Sequence, residues 1–166
     1  MSATKPVRRP ISKSDYERLA AFRATLRRFL HFSEEAAGAA GLTPRQHQAL
    51  LAVQGMPGRD HATMGELAER LQIKHHSAVE LVNRLESAGL MQREQSPDDG
   101  RLVWLRLTAK GLTVLSGLSA LHRTELRWLG PDLHAALARI LEERNAWQEE
   151  HQPEPGWLAR RRGQDA

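Results

Sequence analysis

Histidine and carboxylate side chains around residue 75 are the nearest the sequence comes to a reactive site. His76 and Glu80 lie one helical turn apart, so on a helix both can ligate zinc together with His75. One helix would supply all three ligands, and no apolar residues are placed to exclude water from the metal. The sequence also has no nucleophile elbow, phosphate-binding loop or HExxH spacing. We therefore expect no enzyme and no cofactor, and we interpret these side chains as polar groups that face a partner.

Composition narrows the class of protein further. Cysteine is absent from the 166 residues, which excludes disulfides, thiolate metal sites and thiol-based sensing of peroxide. Aromatic residues make up only 5%, so we expect a core of packed leucine and alanine helices. The first residues have no apolar signal segment, and no stretch approaches the roughly 18 apolar residues of a membrane-spanning helix. We expect a cytoplasmic protein with no membrane partner.

The net charge of +4 is unevenly distributed along the chain. Lysine and arginine are concentrated in residues 1–13 and 151–166, and we expect both segments to be disordered basic tails. The chain between them is mildly acidic, so overall charge does not by itself indicate a nucleic-acid partner. Basic residues exceed acidic ones again over residues 70–110, which makes this segment the best suited to meet an anionic partner.

Helix-start signals divide the chain into elements. Capping boxes, in which a serine or threonine precedes a glutamate or glutamine by three residues, begin at Ser14, Thr43 and Thr63. They predict a long helix from residue 14 to about residue 40 and two shorter helices. A further helix is predicted from His75 to Gly89, because apolar residues recur there at the spacing of a buried stripe. The stripe consists of Ala78, Leu81, Val82 and Leu85.

The stretch SPDDGRLVWLRLTAKG, residues 96–111, combines a tight turn with a strand. Ser96–Arg101 contains the proline, aspartates and glycine that are typical of a hairpin turn. The residues after it alternate, with Val103, Leu105 and Leu107 predicted to face the core. Met91–Gln95 is then the first strand of the hairpin.

Two long helices are predicted to close the chain. Thr108 has the position of an N-cap for a helix that reaches about Leu129, and a second helix follows over 131–150. Together with the first helix they carry more leucine than one small domain can cover, which predicts a homodimer. The predicted interface residues are Leu19, Phe22, Leu26, Leu118, Leu121, Leu133, Leu137 and Leu141.

The order helix, tight turn, helix, strand, turn, strand is that of a winged helix-turn-helix, whose second helix can enter the DNA major groove. Opposite the buried stripe, His76 and Ser77 can donate to phosphates or base edges. Asn83 can bridge to adenine, and Arg84 can reach a phosphate or a guanine. Glu80 either accepts a hydrogen bond from a cytosine amino group or lies away from DNA. A solvated helix face without a partner is the alternative.

The stretch LAERLQIKHHSAVELVNRLESAGLMQREQSPDDGRLVWLRLTAKG resembles the winged helix-turn-helix of the MarR family of bacterial transcription regulators. The resemblance is strongest in Leu85-Glu86, Gly89-Leu90, and Asp99-Gly100-Arg101 followed after five residues by Leu107-Thr108 and Gly111. It covers about residues 15–150 and implies a mainly α fold with a small β-wing. The winged helix-turn-helix would occupy about 62–108, between dimerisation helices at about 14–40 and 108–150.

The resemblance implies a sequence-specific regulator that binds a palindromic double-stranded DNA operator as a homodimer, as a repressor released by a small aromatic or phenolic effector. It also implies that Arg101 enters the minor groove and that Asp99 holds its guanidinium. A purely structural role, in which Arg101 pairs with Asp98 or Asp99 to hold the turn, is the alternative. The predicted DNA-binding residues are His75, His76, Ser77, Glu80, Asn83, Arg84, Asp99 and Arg101, with further phosphate contacts from Lys74, Arg93, Arg106 and Lys110.

The sequence is also compatible with two alternative functions. A metal-sensing regulator of the same fold would bind zinc through His31, His47 or His122. An architectural DNA-binding protein would bind without a preferred sequence. The effector pocket is not identified, although His47, Arg23 and Trp104 have side chains suited to one.

Overall fold

The computed structural model describes residues 10–97 and 99–150, without the side chains of residues 142–150. Its elements are α1 (Lys13–Ala39), α2 (Pro44–Gln54), β1 (His61–Thr63), α3 (Met64–Arg70), α4 (His75–Ser87), β2 (Met91–Gln95), β3 (Val103–Leu107) and α5 (Ala109–Glu150). This confirms the predicted mainly α fold with a small wing. Of the predicted basic tails, residues 1–9 and 151–166 lie outside the described residues, and Lys13 already belongs to α1.

Two compact units make up the chain. One is the continuous segment Arg28–Trp128, and the other consists of the two ends of the chain, up to Arg27 and from Leu129 onward. The first unit contains all three strands together with α2, α3 and α4. It therefore holds every residue that the sequence analysis assigns to DNA binding.

Three antiparallel strands form one sheet, in the order β1-β3-β2. β2 and β3 pair in a register that places Met91 opposite Leu107, which confirms the predicted hairpin. β1 pairs with the other edge of β3, where Ala62 lies opposite Leu105. β1 was not predicted from the sequence, because a strand of three residues with only Ala62 buried is too short to show an alternating pattern.

The core of the unit Arg28–Trp128 confirms the predicted stripe of α4, whose four apolar residues are all buried. Two predictions about which side chains face the core are wrong. Val103 is 44% exposed, because it is the first residue of β3, next to the turn of the wing and opposite Gln95. Leu118, predicted at a dimer interface, is 2% exposed and packs into the core together with Leu115.

Two of the three predicted capping boxes are confirmed. The Thr43 and Thr63 side chains accept hydrogen bonds from the backbone of Gln46 and Glu66, and both partners return the bond. The backbone N–H of Thr63 holds the pKa of Glu66 below its ordinary range. The prediction at Ser14 is wrong, because Ser12 forms the box with Asp15, and the Ser12 N–H donates to Asp15 Oδ2 at 2.7 Å. The Asp15 N–H in turn donates to Ser12 Oγ at 3.2 Å.

The end of the described chain is one helix, α5, and not two. Thr108 is its N-cap as predicted, since its hydroxyl accepts from the Gly111 N–H at 3.0 Å. Pro131 lies inside α5 without ending it, although a proline lacks the N–H of a helical hydrogen bond. Among the described helices, none is both long and apolar enough to span a membrane.

Candidate nucleic-acid interface

α4 presents a polar face opposite its buried stripe. His75, His76, Glu80, Asn83 and Arg84 are exposed on it. Ser77 is half-buried at the edge of this face. The six residues that were predicted on this helix therefore share one helix as expected, and their side chains are available to a partner.

Glu80 and Arg84 form an ion pair on this face. Arg84 Nη2 lies 3.6 Å from Glu80 Oε2, and both side chains are about two-thirds exposed, at 71% and 66%. A pair in this position is weak, because water screens both charges. Glu80 therefore offsets part of the charge of Arg84 in the free protein, and Arg84 remains able to turn toward a phosphate.

Arg93 of β2 connects α4 to the sheet. Its guanidinium pairs with the Glu86 carboxylate, and its backbone N–H donates to Glu86 Oε1 at 3.1 Å. Arg93 Nη2 also donates to Asn83 Oδ1 at 2.9 Å. From the sequence, Arg93 was predicted to contact phosphate, and no link to Asn83 was predicted. The two residues are ten apart in sequence and meet only because β2 packs beside α4.

The turn of the wing is held by hydrogen bonds to its own backbone. The Ser96 N–H donates to the Leu102 carbonyl at 2.9 Å, and the Leu102 N–H donates to the Asp99 carbonyl at 2.9 Å. Asp99 Oδ1 accepts from the backbone N–H of Arg101 at 3.0 Å. Asp99 therefore fixes the backbone that carries Arg101, whose side chain is exposed. Asp98, its other possible partner in the sequence analysis, lies outside the described residues.

The C-terminal end of α4 is bonded to the start of α5. Lys110 Nζ donates to the Ala88 carbonyl at 2.8 Å, and Thr108 Oγ1 donates to the Gly89 carbonyl at 2.7 Å. The Thr108 N–H donates to the Leu90 carbonyl at 3.1 Å. The accepting carbonyls belong to the C-cap of α4 and to the two residues after it, so the turn that ends α4 is fixed to the start of α5. Lys110, predicted as a phosphate contact, stabilises the end of α4 instead in the free protein.

Arg106 and Trp104 belong to a cluster on the sheet. Arg106 pairs with Asp60 and with Glu94, whose Oε2 lies 2.9 Å from Arg106 Nε. The Trp104 ring stacks on His61 at a centroid distance of 4.0 Å. Two carboxylates therefore already neutralise Arg106, which was predicted to contact phosphate. Trp104 packs against the sheet cluster, which gives no support to its assignment as an effector-pocket residue.

Two histidines meet inside the same unit. The rings of His47 and His122 have centroids 4.8 Å apart, and His47 is only 4% exposed. His122 Nδ1–H donates to the Leu118 carbonyl at 2.6 Å, and His122 Nε2 lies at hydrogen-bond distance, 2.8 Å, from the Ser33 hydroxyl oxygen. Burial, and secondarily the electrostatic interaction with His122, lowers the pKa of His47 from its ordinary 6.5. The third histidine of the zinc hypothesis, His31, is exposed beside Glu35 instead.

A metal site would need several ligands in one place. Among the described residues, no group of three or more histidine, cysteine, aspartate or glutamate side chains converges to hold an ion. This applies to His75, His76 and Glu80 as well as to the buried pair His47 and His122. The structure therefore gives no support to the zinc-sensing alternative.

A groove of about 640 Å³ adjoins the polar face of α4. Its volume lies within the roughly 300–1,000 Å³ of small-molecule sites. The residues with polar side chains along it include Ser77, Glu80 and Arg84 of α4, Thr43, Arg45 and Gln46 at the start of α2, and Glu34 of α1. None of the three pocket residues suggested by the sequence lines this groove, since Arg23, His47 and Trp104 lie elsewhere.

Comparison with known proteins identifies the segment that contains this face. Residues 40–102 match the model of the MarR family. A transcriptional regulatory protein proposed for the hcr operon of Thauera aromatica is 30% identical over 94 residues, which cover 57% of this chain and 55% of that protein. The chain thus spans about half the length of the curated relative it matches.

Solved structures share the fold. AbsC, a MarR family transcriptional regulator from Streptomyces coelicolor, superposes with a TM-score of 0.65 at 21% identity, covering 87% of this chain and all of AbsC. A point mutant of MepR from Staphylococcus aureus, bound to an oligodeoxyribonucleotide, gives 0.58 at 19% identity, covering 77% of this chain and 96% of MepR. Identities this low show a common fold alone. The predicted winged helix-turn-helix is thereby confirmed.

Proposed function

Since residues 40–102 match the model of the MarR family and the fold is shared with a MarR family transcriptional regulator, we propose that the chain is a transcription regulator of this family that binds double-stranded DNA in a sequence-specific manner. The observation that carries the proposal is the link between α4 and the wing through Arg93. If α4 is to enter the major groove while the wing enters the minor groove, the two must approach DNA as one rigid body. The bonds of Arg93 to Glu86 and Asn83 hold α4 and β2 in that way.

The DNA site that we propose is a palindrome bound by a homodimer. Leucines on α1 and α5 support the dimer, because Leu19, Leu121, Leu137 and Leu141 are each between 39% and 53% exposed. Exposed apolar side chains at this density favour burial against a second copy. The two α4 helices would then lie about one turn of DNA apart, roughly 34–36 Å. Arg101 of each wing would enter the flanking minor groove.

We also propose that the protein is a repressor released by a small aromatic or phenolic effector. The groove beside α4 supports this, because its volume suits such a molecule and its lining includes Arg45 and Arg84, which can pair with a carboxylate or phenolate. Ser77 and Glu80 line the same groove from α4. A ligand held there would compete with DNA for those side chains.

Footprinting with a competitor tests the DNA-binding proposal. The purified protein is incubated at physiological salt with a pool of genomic fragments and an excess of random-sequence duplex. A regulator protects a discrete palindrome, since specific binding exceeds non-specific binding by about 10³-fold or more. Binding that the random duplex removes completely would indicate an architectural protein and overturn the proposal.

Two further measurements distinguish effector release from metal sensing, one on the protein–operator complex and one on the purified protein. Benzoates and phenols are titrated into the protein–operator complex, and release at sub-millimolar concentration supports the effector proposal. Elemental analysis of the purified protein detects bound zinc. Stoichiometric zinc, with operator binding that changes when the zinc is removed by a chelator, would favour the metal-sensing alternative instead.

A further inference from the structure

Asn83 has only part of its hydrogen-bonding capacity available to a partner. An asparagine amide carries one carbonyl oxygen that accepts and one NH₂ group with two hydrogens that donate. In this protein Asn83 Oδ1 lies 2.9 Å from Arg93 Nη2. A guanidinium has donors and no acceptor, so the carbonyl end of the amide must face Arg93. The NH₂ end of Asn83 is the end left for a partner.

Arg93 is itself held in place. Glu86, one helical turn after Asn83, pairs with the Arg93 guanidinium and also accepts from the Arg93 backbone N–H. The side chains of Arg93 and Glu86 are only 31% and 28% exposed, in contrast to the exposed pair Glu80 and Arg84. Because Glu86 holds Arg93 at two points, the amide of Asn83 is oriented before any DNA arrives.

This orientation changes the base that Asn83 can read. Adenine presents an acceptor, N7, beside a donor, the N6 amino group, and a bidentate contact requires both ends of an asparagine amide. Guanine presents two adjacent acceptors, N7 and O6, which an NH₂ group can meet with its two hydrogens. An asparagine whose oxygen is directed at Arg93 presents mainly its NH₂ group to DNA, which matches the two acceptors of guanine better than the acceptor and donor of adenine.

We propose that Arg93 is a specificity-determining residue that holds Asn83 as a donor and so makes it prefer guanine over adenine in the major groove. The inference rests on the proposed DNA-binding function. It replaces the bidentate contact to adenine that the sequence suggests for an unrestrained asparagine. Arg93 acts through Asn83 and needs no contact with DNA of its own.

The test is a comparison of base preferences selected from random duplex DNA. Wild type, Asn83→Ala, Arg93→Lys and Asn83→Ala/Arg93→Lys are each used to enrich bound duplexes from a random pool, which are then sequenced. Arg93→Lys keeps a positive charge opposite Glu86 but lacks the second guanidinium nitrogen that reaches Asn83. Arg106→Lys is the matched control, because it makes the same change on the neighbouring strand β3, where Arg106 pairs with Asp60 and Glu94.

The expected result is a change at one position of each half-site. Wild type prefers guanine there, Asn83→Ala loses the preference, and Arg93→Lys shifts it toward adenine by about tenfold. In the double variant the effect of Arg93→Lys disappears, because it acts through the Asn83 amide. Arg106→Lys retains the wild-type preference, and circular dichroism melting confirms that each variant is folded.

Three results would overturn the inference. One is a wild-type preference for adenine at the Asn83 position. Another is a uniform loss of affinity in Asn83→Ala with every base preference retained, which indicates a phosphate contact. A third is a shift in Arg93→Lys that persists without Asn83, since Arg93 would then read DNA directly. If wild type enriches no sequence at all, the proposed function itself has failed, which none of the other results would imply.

Discussion

Arg101 is an exposed cation on a turn whose backbone Asp99 organises. A narrow A·T-rich minor groove has an enhanced negative potential, and a lone arginine on a projecting loop is suited to it. The carboxylate of Asp99 accepts from the Arg101 amide, so it positions the residue through the main chain. The role that the family resemblance assigns to the Asp99 carboxylate, holding the guanidinium, stays a prediction.

Replacement of Arg101 by alanine tests this role. We expect Arg101→Ala to weaken operator binding by about 1–3 kcal/mol per wing and to reduce the preference for A·T pairs at the flanks of the site. Fluorescence anisotropy with a labelled operator measures the affinity. Arg123→Ala, which removes an exposed arginine from α5, is the control. If Arg101→Ala binds like wild type but melts at a lower temperature, the arginine serves only the turn.

His47 is the residue whose ionisation should affect stability. Its pKa is lowered by burial and then by His122, so folding favours the neutral ring. Well above pH 6.5 His47 is neutral in the folded and unfolded chains, and its effect on stability is constant. As the pH falls below 6.5, the unfolded chain takes up the proton first, and the free energy of unfolding decreases until the folded pKa is passed.

Denaturant melts between about pH 7.5 and about pH 5 measure this dependence. We expect the wild-type protein to lose stability over that range and His47→Phe, which keeps a ring without a titrating group, to lose less. His31→Phe removes an exposed histidine from α1 and should follow the wild-type curve. Parallel curves for wild type and His47→Phe would show that His47 does not cause the dependence.

At the scale of elements, the contact between the end of α4 and the start of α5 requires a glycine. A Cβ built on Gly111 would overlap the carbonyl oxygen of Leu90, which belongs to the backbone and cannot rotate away. Thr108 accepts the Gly111 N–H and donates to the Gly89 carbonyl, so the same few residues both cap α5 and end α4. The spacing from Thr108 to Gly111 is thereby explained.

We expect Gly111→Ala to destabilise the protein by about 2 kcal/mol or more, because the two helix ends must separate to admit a methyl group. Gly117→Ala is the control on the same helix. A Cβ there meets nothing within 4 Å, and alanine should stabilise the helix by about 0.5–1 kcal/mol. Thermal melts compare the two variants, and equal melting temperatures would contradict the close packing at Gly111.

Local signals predicted these elements well, and contacts between elements were predicted poorly. The boxes at Thr43 and Thr63 and the alternation in β3 depend on neighbouring residues, so they are readable from sequence. The single helix through Pro131 depends on the rest of α5 offsetting one missing hydrogen bond, which no local rule predicts. The partnership of Arg93 with Asn83 depends on how β2 packs beside α4.

At the scale of the whole molecule, exposed leucines are the main feature that one chain leaves unexplained. Leu19, Leu137 and Leu141 lie in the unit made of the chain ends, and Leu121 lies on α5 in the unit Arg28–Trp128. The sequence identified this set from its helical spacing but wrongly included Leu118, because spacing alone does not tell which side of α5 faces the core. A second copy of the chain is the partner that we propose for them.

Light scattering at micromolar concentration tests the homodimer. We expect a mass of two chains for wild type and a shift toward one chain for Leu137→Asp, which places a charge on a side chain that is 42% exposed. Leu51→Asp is the control, because Leu51 is similarly exposed at 49% but lies on α2. A wild-type mass of one chain would rule out the dimer at that concentration.

The hydrogen bonds between α4 and α5 also determine how amide protons exchange with solvent. The Leu112 N–H donates to Thr108 O at 2.9 Å, the Thr108 N–H to Leu90 O at 3.1 Å, and the Leu90 N–H to Leu85 O at 2.9 Å. The first turn of α5 and the last turn of α4 are thus connected by a continuous series of backbone bonds. Local opening at either end breaks the same series. In deuterium exchange these three amides should therefore have similar protection factors, and the end of α4 should not fray unless the start of α5 frays with it.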